Sequence, residues 1–300
     1  MSSVESQLKS VNHPFFWGQT ILQLGLICLA FQLPSSSGLL SGFAIVALLL
    51  VGVPHGGNDY HYRPDKTLKG SLKFLSYYLG CMALYALLWY FLPLPALLLF
   101  LAISIHHFGQ SNFVADTWKS PESLLWGVWL LLFPLCIHSI EALGIFSDMM
   151  GVKLDLTGRQ ELGTGVLVGF GLIFGMLYAA VLWRRKIDHA WQYLLQWLLV
   201  SVWYWMSPLI LGFVVVFCLW HSAQSMRYQV VYIRNNESLK TWRILMGFMP
   251  LGFVALLGWF VVADFEVTEH LALGFVLLSL VTLPHVVVMD GIYRAESHLR

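Results

Sequence analysis

Apolar residues run in blocks of about twenty along this chain, broken by short polar segments. The blocks lie at about residues 15–33, 38–55, 71–91, 93–109, 122–145, 162–183, 190–207, 208–226, 243–263 and 270–290. Each is close to the ~20 residues a helix needs to cross a bilayer's hydrocarbon layer. The pattern predicts ten transmembrane helices. Pro93 and Pro208 each divide one very long apolar run, and both are read as turns, because the joined pieces exceed a single crossing and proline cannot continue a helix. No repeat of fixed period or low-complexity tract interrupts the pattern. The fold class expected is all-α, a polytopic integral membrane bundle with residues 1–300 forming one membrane domain.

Charge gives the bundle a direction. With the N-terminus placed in the cytoplasm, all of the 17 Lys and Arg except Lys153 and Arg159 fall on cytoplasmic segments, as the positive-inside rule requires. The last outside loop, around Asp264, Glu266 and Glu269, is then purely acidic. Both termini are expected to be cytoplasmic, and the polar start MSSVESQLKSVNHP reads as retained rather than cleaved. Composition agrees: 58% hydrophobic, 11% charged and a mean hydropathy of +0.71 are too apolar for a soluble surface. A net charge of +1 with no basic run interleaved with aromatics excludes a nucleic-acid groove. Cys28, Cys81, Cys136 and Cys218 lie inside apolar segments without a C-x-x-C pair, so neither a disulfide framework nor a thiolate metal site is indicated.

Against this background four histidines stand out: His55 in LVGVPHGGND, His107 in AISIHHFGQSN, His221 in VFCLWHSAQS and His285 in VTLPHVVVMD. An imidazole at membrane depth needs polar partners that lipid does not offer. The orientation places all four toward the cytoplasmic ends of their helices, a consequence not used in deriving it. Four neutral imidazoles suit a first-row metal, and an all-nitrogen site with open positions fits non-haem Fe(II). Residues one turn away are candidates to fix imidazole tautomers: Asp59 for His55, Gln110 for His107, and Gln224 and Ser225 for His221, although Gly56-Gly57 can unwind the chain before Asp59. His106 points about 100° away from His107 around a helix and reads as a supporting or packing residue. His138 with Glu141 reads as an interhelical polar contact near the opposite face. His13, His61, His189, His270 and His298 fall in loops or tails. The competing reading of each buried histidine is a helix-packing hydrogen bond.

The motifs GVPHGGND, SIHHFGQSN, LWHSAQS and LPHVVVMD, in this order on separate membrane helices, resemble the Brp/Blh family of membrane β-carotene 15,15′-dioxygenases from about residue 45 to the C-terminus. The resemblance implies O2-dependent cleavage of β-carotene, or a related carotenoid, at its central double bond to retinal, with histidine-held Fe(II). It matches His55, His107 and His221 to family iron ligands, and Asp59, Pro284, His285 and Asp290 to other motif positions. Two departures stand out. The family's second histidine in His-x-x-x-His is replaced by Ser225, and Asn112 and Tyr60 stand where relatives often carry Asp and His. Three completions of the site follow: His285 or His106 supplies a ligand, water or Gln224 fills the gap, or the site has degenerated.

The reading is therefore a carotenoid dioxygenase with β-carotene, O2 and membrane lipids as partners, a retinal-using opsin downstream, and the bacterial cytoplasmic membrane as its place. Trp129, Phe133, Trp203, Trp205, Phe213 and Trp220 are candidates to line a polyene tunnel, although aromatics also pack helices in any membrane protein. GFGLIFG at 169–175 reads as small-residue helix packing. The alternative function is a non-catalytic carotenoid-binding or transport relative. A desaturase-like oxidase, which needs more H-x-x-H-H clusters, and a bis-histidine haem protein stand further off.

Overall fold

A computed structural model describes residues 3–32, 43, 46–63, 65–113, 120–227 and 267–297. The expected span over 243–263 lies outside the described residues, and of that over 38–55 the structure describes residues 43 and 46–55. Every regular element described is helical. The chain runs through α1 (Ser3–Gln32), a π-helical turn (Leu48–Gly52), the short α2 (Val53–Gly57) and a 3-10 turn (Asn58–Tyr62). It continues as α3 (Leu68–Phe91), α4 (Pro93–Phe113), α5 (Pro121–Ile137), α6 (Ser139–Met150), α7 (Thr164–Arg184) and α8 (Ala190–Met206). Next comes α9 (Leu209–Val216), which passes into a second π-helical turn (Phe217–Ser222), and then α10 (Val267–Ser297). Six helical stretches among the described residues are long and apolar enough to cross a membrane, or seven if α5 and α6 count as one broken span. The surface agrees with that setting: Leu84, Ile173 and Met176 are exposed while Gln23, Asp59, Gln110, His107 and His221 are buried. This is the inverse of a water-soluble fold.

Proline sets the boundaries. α4 begins at Pro93, and Pro208 is the residue before α9, so both long apolar runs divide where the sequence predicts. The expected single helix over 122–145 does not form. It breaks at His138 into α5 and α6, bent by 101°. Pro134, inside α5, has no N–H to give the Leu130 carbonyl, and Tyr204 donates its hydroxyl to that oxygen at 2.8 Å instead. At the break, His138 Nε2 donates to the Ser207 carbonyl at 3.0 Å, so Tyr204 of α8 and the residue that follows this helix both meet polar groups at the bend.

The helices are joined by apolar packing and by buried polar bonds that hydrocarbon would leave unmet. Trp129 of α5 stacks on Phe133 with ring centres 3.9 Å apart and bonds Ser201 of α8. Trp89 of α3 donates to Ser279 of α10 at 2.8 Å. Asn112 of α4 and Gln196 of α8 exchange two amide bonds of 3.2 and 3.1 Å. α1 is tied to the second π turn through Gln19 to the Leu219 carbonyl and Trp220 to Gln23. The closest crossing is α4 on α5. A Cβ on Gly109 would lie 2.3 Å from the Ser123 carbonyl oxygen, and one on Gly127 would lie 2.0 Å from that of Ile105. Only glycine allows the two backbones this approach, and it fixes the helix that carries His107.

Candidate metal centre

Four elements converge to bring His55, His107, His221 and His285 together, and all four side chains are buried. His55 follows the first π turn, His107 sits in the last two turns of α4, His221 lies within the second π turn, and His285 follows Pro284 in α10. Their rings form a closed quadrilateral. Successive centres are separated by 5.2 Å (His55–His221), 4.6 Å (His221–His107), 4.8 Å (His107–His285) and 5.1 Å (His285–His55). The His55–His107 diagonal is 6.4 Å. One nitrogen from each of His55, His107 and His221 falls within 4.8 Å of the others.

Hydrogen bonds on the outer side of the quadrilateral set which nitrogen faces in. His55 Nδ1 donates to the Gly52 carbonyl, at the end of the first π turn. His285 Nδ1 lies 2.9 and 3.0 Å from the two oxygens of Asp59. A carboxylate only accepts, so the ring donates and keeps a lone pair on Nε2. That Nε2 is 3.1 Å from Nε2 of His107. His221 Nδ1 is 2.8 Å from Ser111 Oγ. The inner nitrogen Nε2 of His221 and Nδ1 of His107 are buried and have no hydrogen-bond partner among the described residues. Unmet imidazole nitrogens in a dry site are costly, and a cation bound at Nε2 of His221 would remove that cost for this ring.

The dimensions fit a metal. Half of the 6.4 Å diagonal is about 3.2 Å, close to the sum of a ~2.1 Å metal–nitrogen bond and the ~1.1 Å radius of an imidazole ring. Two nitrogens bound at ~2.1 Å and about 95° apart would be separated by about 3.1 Å, which is the His107–His285 spacing. The donors are all imidazole and Asp59 adds one buried negative charge behind His285. This set suits Fe, Zn, Cu or Ni and not a hard oxygen-seeking ion.

The other residues singled out by spacing fall into separate places. Asp59, expected behind His55, serves His285, because the chain leaves α2 through Gly56-Gly57 into a 3-10 turn. Gln110 and His106 both reach Asp290 of α10, at 2.7 and 3.5 Å from its Oδ1, and form a second polar group between α4 and α10. Asn112 bonds Gln196 and no histidine. Gln224 Oε1 has no hydrogen-bond partner among the described residues, and Ser225 is fully buried. Of the aromatic candidates, Trp129, Phe133, Trp203 and Trp220 are core residues and Trp205 is exposed. Phe213 alone is joined to the histidines, through stacking on Phe217, whose ring stacks in turn on His221. Sequence spacing did not reveal Ser111, nor Phe108, whose ring centre is 4.5 Å from that of His221. It also missed Tyr78, which donates to Asp59 at 3.1 Å. A serine or tyrosine on an apolar helix carries no signal of a partner far away in sequence.

A profile of the β-carotene 15,15′-dioxygenase family matches residues 46–293, a span that holds all four histidines. The β-carotene 15,15′-dioxygenase of uncultured marine bacterium 66A03 is 26% identical over 282 residues, covering 85% of this chain and 94% of that protein. The Halobacterium salinarum protein named probable β-carotene 15,15′-dioxygenase Blh is 27% identical over 295 residues, covering 85% of each. No solved structure matches. With the profile running across the whole histidine constellation, this chain belongs to the β-carotene 15,15′-dioxygenase family.

Proposed function

We propose that the protein cleaves β-carotene, or a related carotenoid, at its central double bond with O2, and that Fe(II) is held by His55, His107, His221 and His285. The observation that carries this reading is the buried histidine quadrilateral with the unmet inner nitrogen of His221, in a chain of this family. The reaction places both atoms of O2 on the two carbons of one C=C bond and gives two aldehydes, with no other reductant needed. Bound Fe(II) would supply the activation of O2 that an unaided alkene lacks.

The chain's own residues do the rest. Gly52, Ser111 and Asp59 occupy the Nδ1 positions of His55, His221 and His285, which orients the rings and raises their basicity toward a metal. Phe217 stacks on His221 and Phe108 packs against it at a tilt of 56°. A conjugated polyene laid along Phe217 and Phe213 would meet the histidines at one end of that wall, with water excluded.

Ten spans with both termini in the cytoplasm remain the topology we propose. The six long apolar helices, the broken pair α5–α6, α8 and the blocks at 38–55 and 243–263 make up that number. The histidine cluster then lies near the cytoplasmic side of a prokaryotic cytoplasmic membrane, where retinal would pass to lipid or to a retinal-using opsin.

The deciding experiment is anaerobic purification in detergent with Fe(II), metal analysis, then incubation with β-carotene and O2 and chromatography for retinal. Retinal from the wild type that disappears in His55→Ala and His221→Ala is expected. Protein that folds and binds carotenoid but retains no metal and forms no aldehyde overturns the enzyme reading in favour of a carotenoid-binding relative with Ser225 marking a lost site.

A further inference from the structure

Ser111 lies one turn beyond His107 on α4, and its hydroxyl meets two groups at once. It donates its single proton to the Phe108 carbonyl, three residues back, at 3.0 Å. The same oxygen is 2.8 Å from Nδ1 of His221 on α9's π turn. With its proton committed to Phe108, the oxygen offers His221 only lone pairs, so the ring must carry its proton on Nδ1. Nε2 of His221 is then a bare lone pair, buried without a donor among the described residues.

The other two anchors differ in kind. A main-chain carbonyl behind His55 and a carboxylate behind His285 can only accept. A hydroxyl can donate or accept, and here the Phe108 bond decides between them. Ser111 and His221 are 6% and 1% exposed, so bulk water cannot take over as acceptor.

We propose that Ser111 is a positioning residue: by accepting from Nδ1 it locks His221 in the tautomer that presents Nε2 to the histidine cluster, and His221 binds metal well only while that hydroxyl is in place. The consequence for metal rests on the metal-centre reading above, whereas the tautomer is a property of the metal-free protein and is tested there.

The experiment uses full-length protein labelled with 15N-histidine, metal-free in lipid nanodiscs, with His221→Gln supplying the assignment by difference. His221 is expected to show a protonated Nδ1 and an unprotonated Nε2. The same spectrum of Ser111→Ala is expected to lose the fixed tautomer, and Ser111→Thr to keep it, since threonine retains a hydroxyl able to bond the carbonyl of the preceding turn. A wild-type His221 protonated on Nε2 overturns the proposal without need of any variant. Anaerobic Co(II) titration followed by visible absorption then reads the consequence. Ser111→Ala should bind about 10–100-fold more weakly, and Ser111→Thr within about threefold of wild type. Equal affinity in Ser111→Ala and wild type overturns the positioning role. A wild type that shows the Nδ1–H tautomer yet binds no Co(II) overturns the metal reading and leaves the tautomer assignment standing.

Discussion

Gly127→Ala is the substitution most informative about what holds the centre together, because it touches none of the histidines. Its new Cβ would sit 2.0 Å from the Ile105 carbonyl oxygen, 2.9 Å from the carbonyl carbon and 3.2 Å from the Gly109 nitrogen. All three are backbone atoms, so no side chain can rotate away. Restoring a contact of about 3 Å requires α4 and α5 to part by roughly 1 Å, and overpacking of this kind costs about 1–3 kcal/mol. α4 carries His107 two residues beyond Ile105, while His55, His221 and His285 sit on other elements. Ligand distances tolerate only ~0.2 Å, so a shift of this size takes His107 out of range. Anaerobic Co(II) titration should show at least about a tenfold loss of affinity, with a lowered unfolding temperature by tryptophan fluorescence. Two controls separate this from a general effect of alanine: at Gly171 the nearest atom to a new Cβ is Trp129 Cη2 at 3.7 Å, and at Gly80 nothing lies within 4 Å. Both should bind Co(II) as wild type does. Wild-type affinity and stability in Gly127→Ala would refute the claim that this crossing sets the position of His107.

Asp59→Asn keeps a group able to accept from His285 Nδ1 but removes the charge behind the ring. Metal affinity should fall by about 10–100-fold in the same titration, and an unchanged value would sink the role given to the carboxylate. Tyr204→Phe takes away the hydroxyl that meets the Leu130 carbonyl at the Pro134 break. It should lower stability by about 1–2 kcal/mol in denaturant unfolding while metal affinity stays unchanged; no loss of stability would mean that another group satisfies that oxygen. Outside the spans, the Thr67 backbone N–H, donating to Asp65 at 2.9 Å, holds that carboxyl below its ordinary range. A depressed folded-state value means that the charged form favours the fold above the unfolded value and that this contribution is lost as pH falls through the folded one. The Thr67 amide resonance should therefore titrate with a midpoint below about 3.9, and a midpoint at or above that value would contradict the assignment.

The elements that sequence revealed are those whose cause is local. Pro93 and Pro208 mark helix starts because a missing N–H acts at the residue itself. The four histidines were visible because an imidazole inside an apolar block is out of place whatever it meets. Contacts with distant causes were not visible. Spacing assigned Asp59 to His55 on the premise of continuous helix, but the 3-10 turn at Asn58–Tyr62 carries the carboxylate to His285, 226 residues away. Gln110 was matched to its neighbour His107 by the same premise, whereas Asp290 of α10 is its partner. Pro134 sits in an apolar run as Pro284 does, yet only the first ends in a sharp bend. The hydroxyl that accommodates the break belongs to Tyr204, which periodicity in α5 cannot contain.

Two of the four histidines owe their place to π-helical turns, Leu48–Gly52 before His55 and Phe217–Ser222 around His221. Such a turn holds one residue more than an α turn needs. Deleting a single residue within Phe217–Ser222 would let the helix close normally, and the local widening that sets the direction of the His221 ring would be lost. The cluster therefore depends on the number of residues in these segments as well as on which residues they are. In these two short segments a one-residue gap is expected to disturb the cluster more than a conservative substitution would.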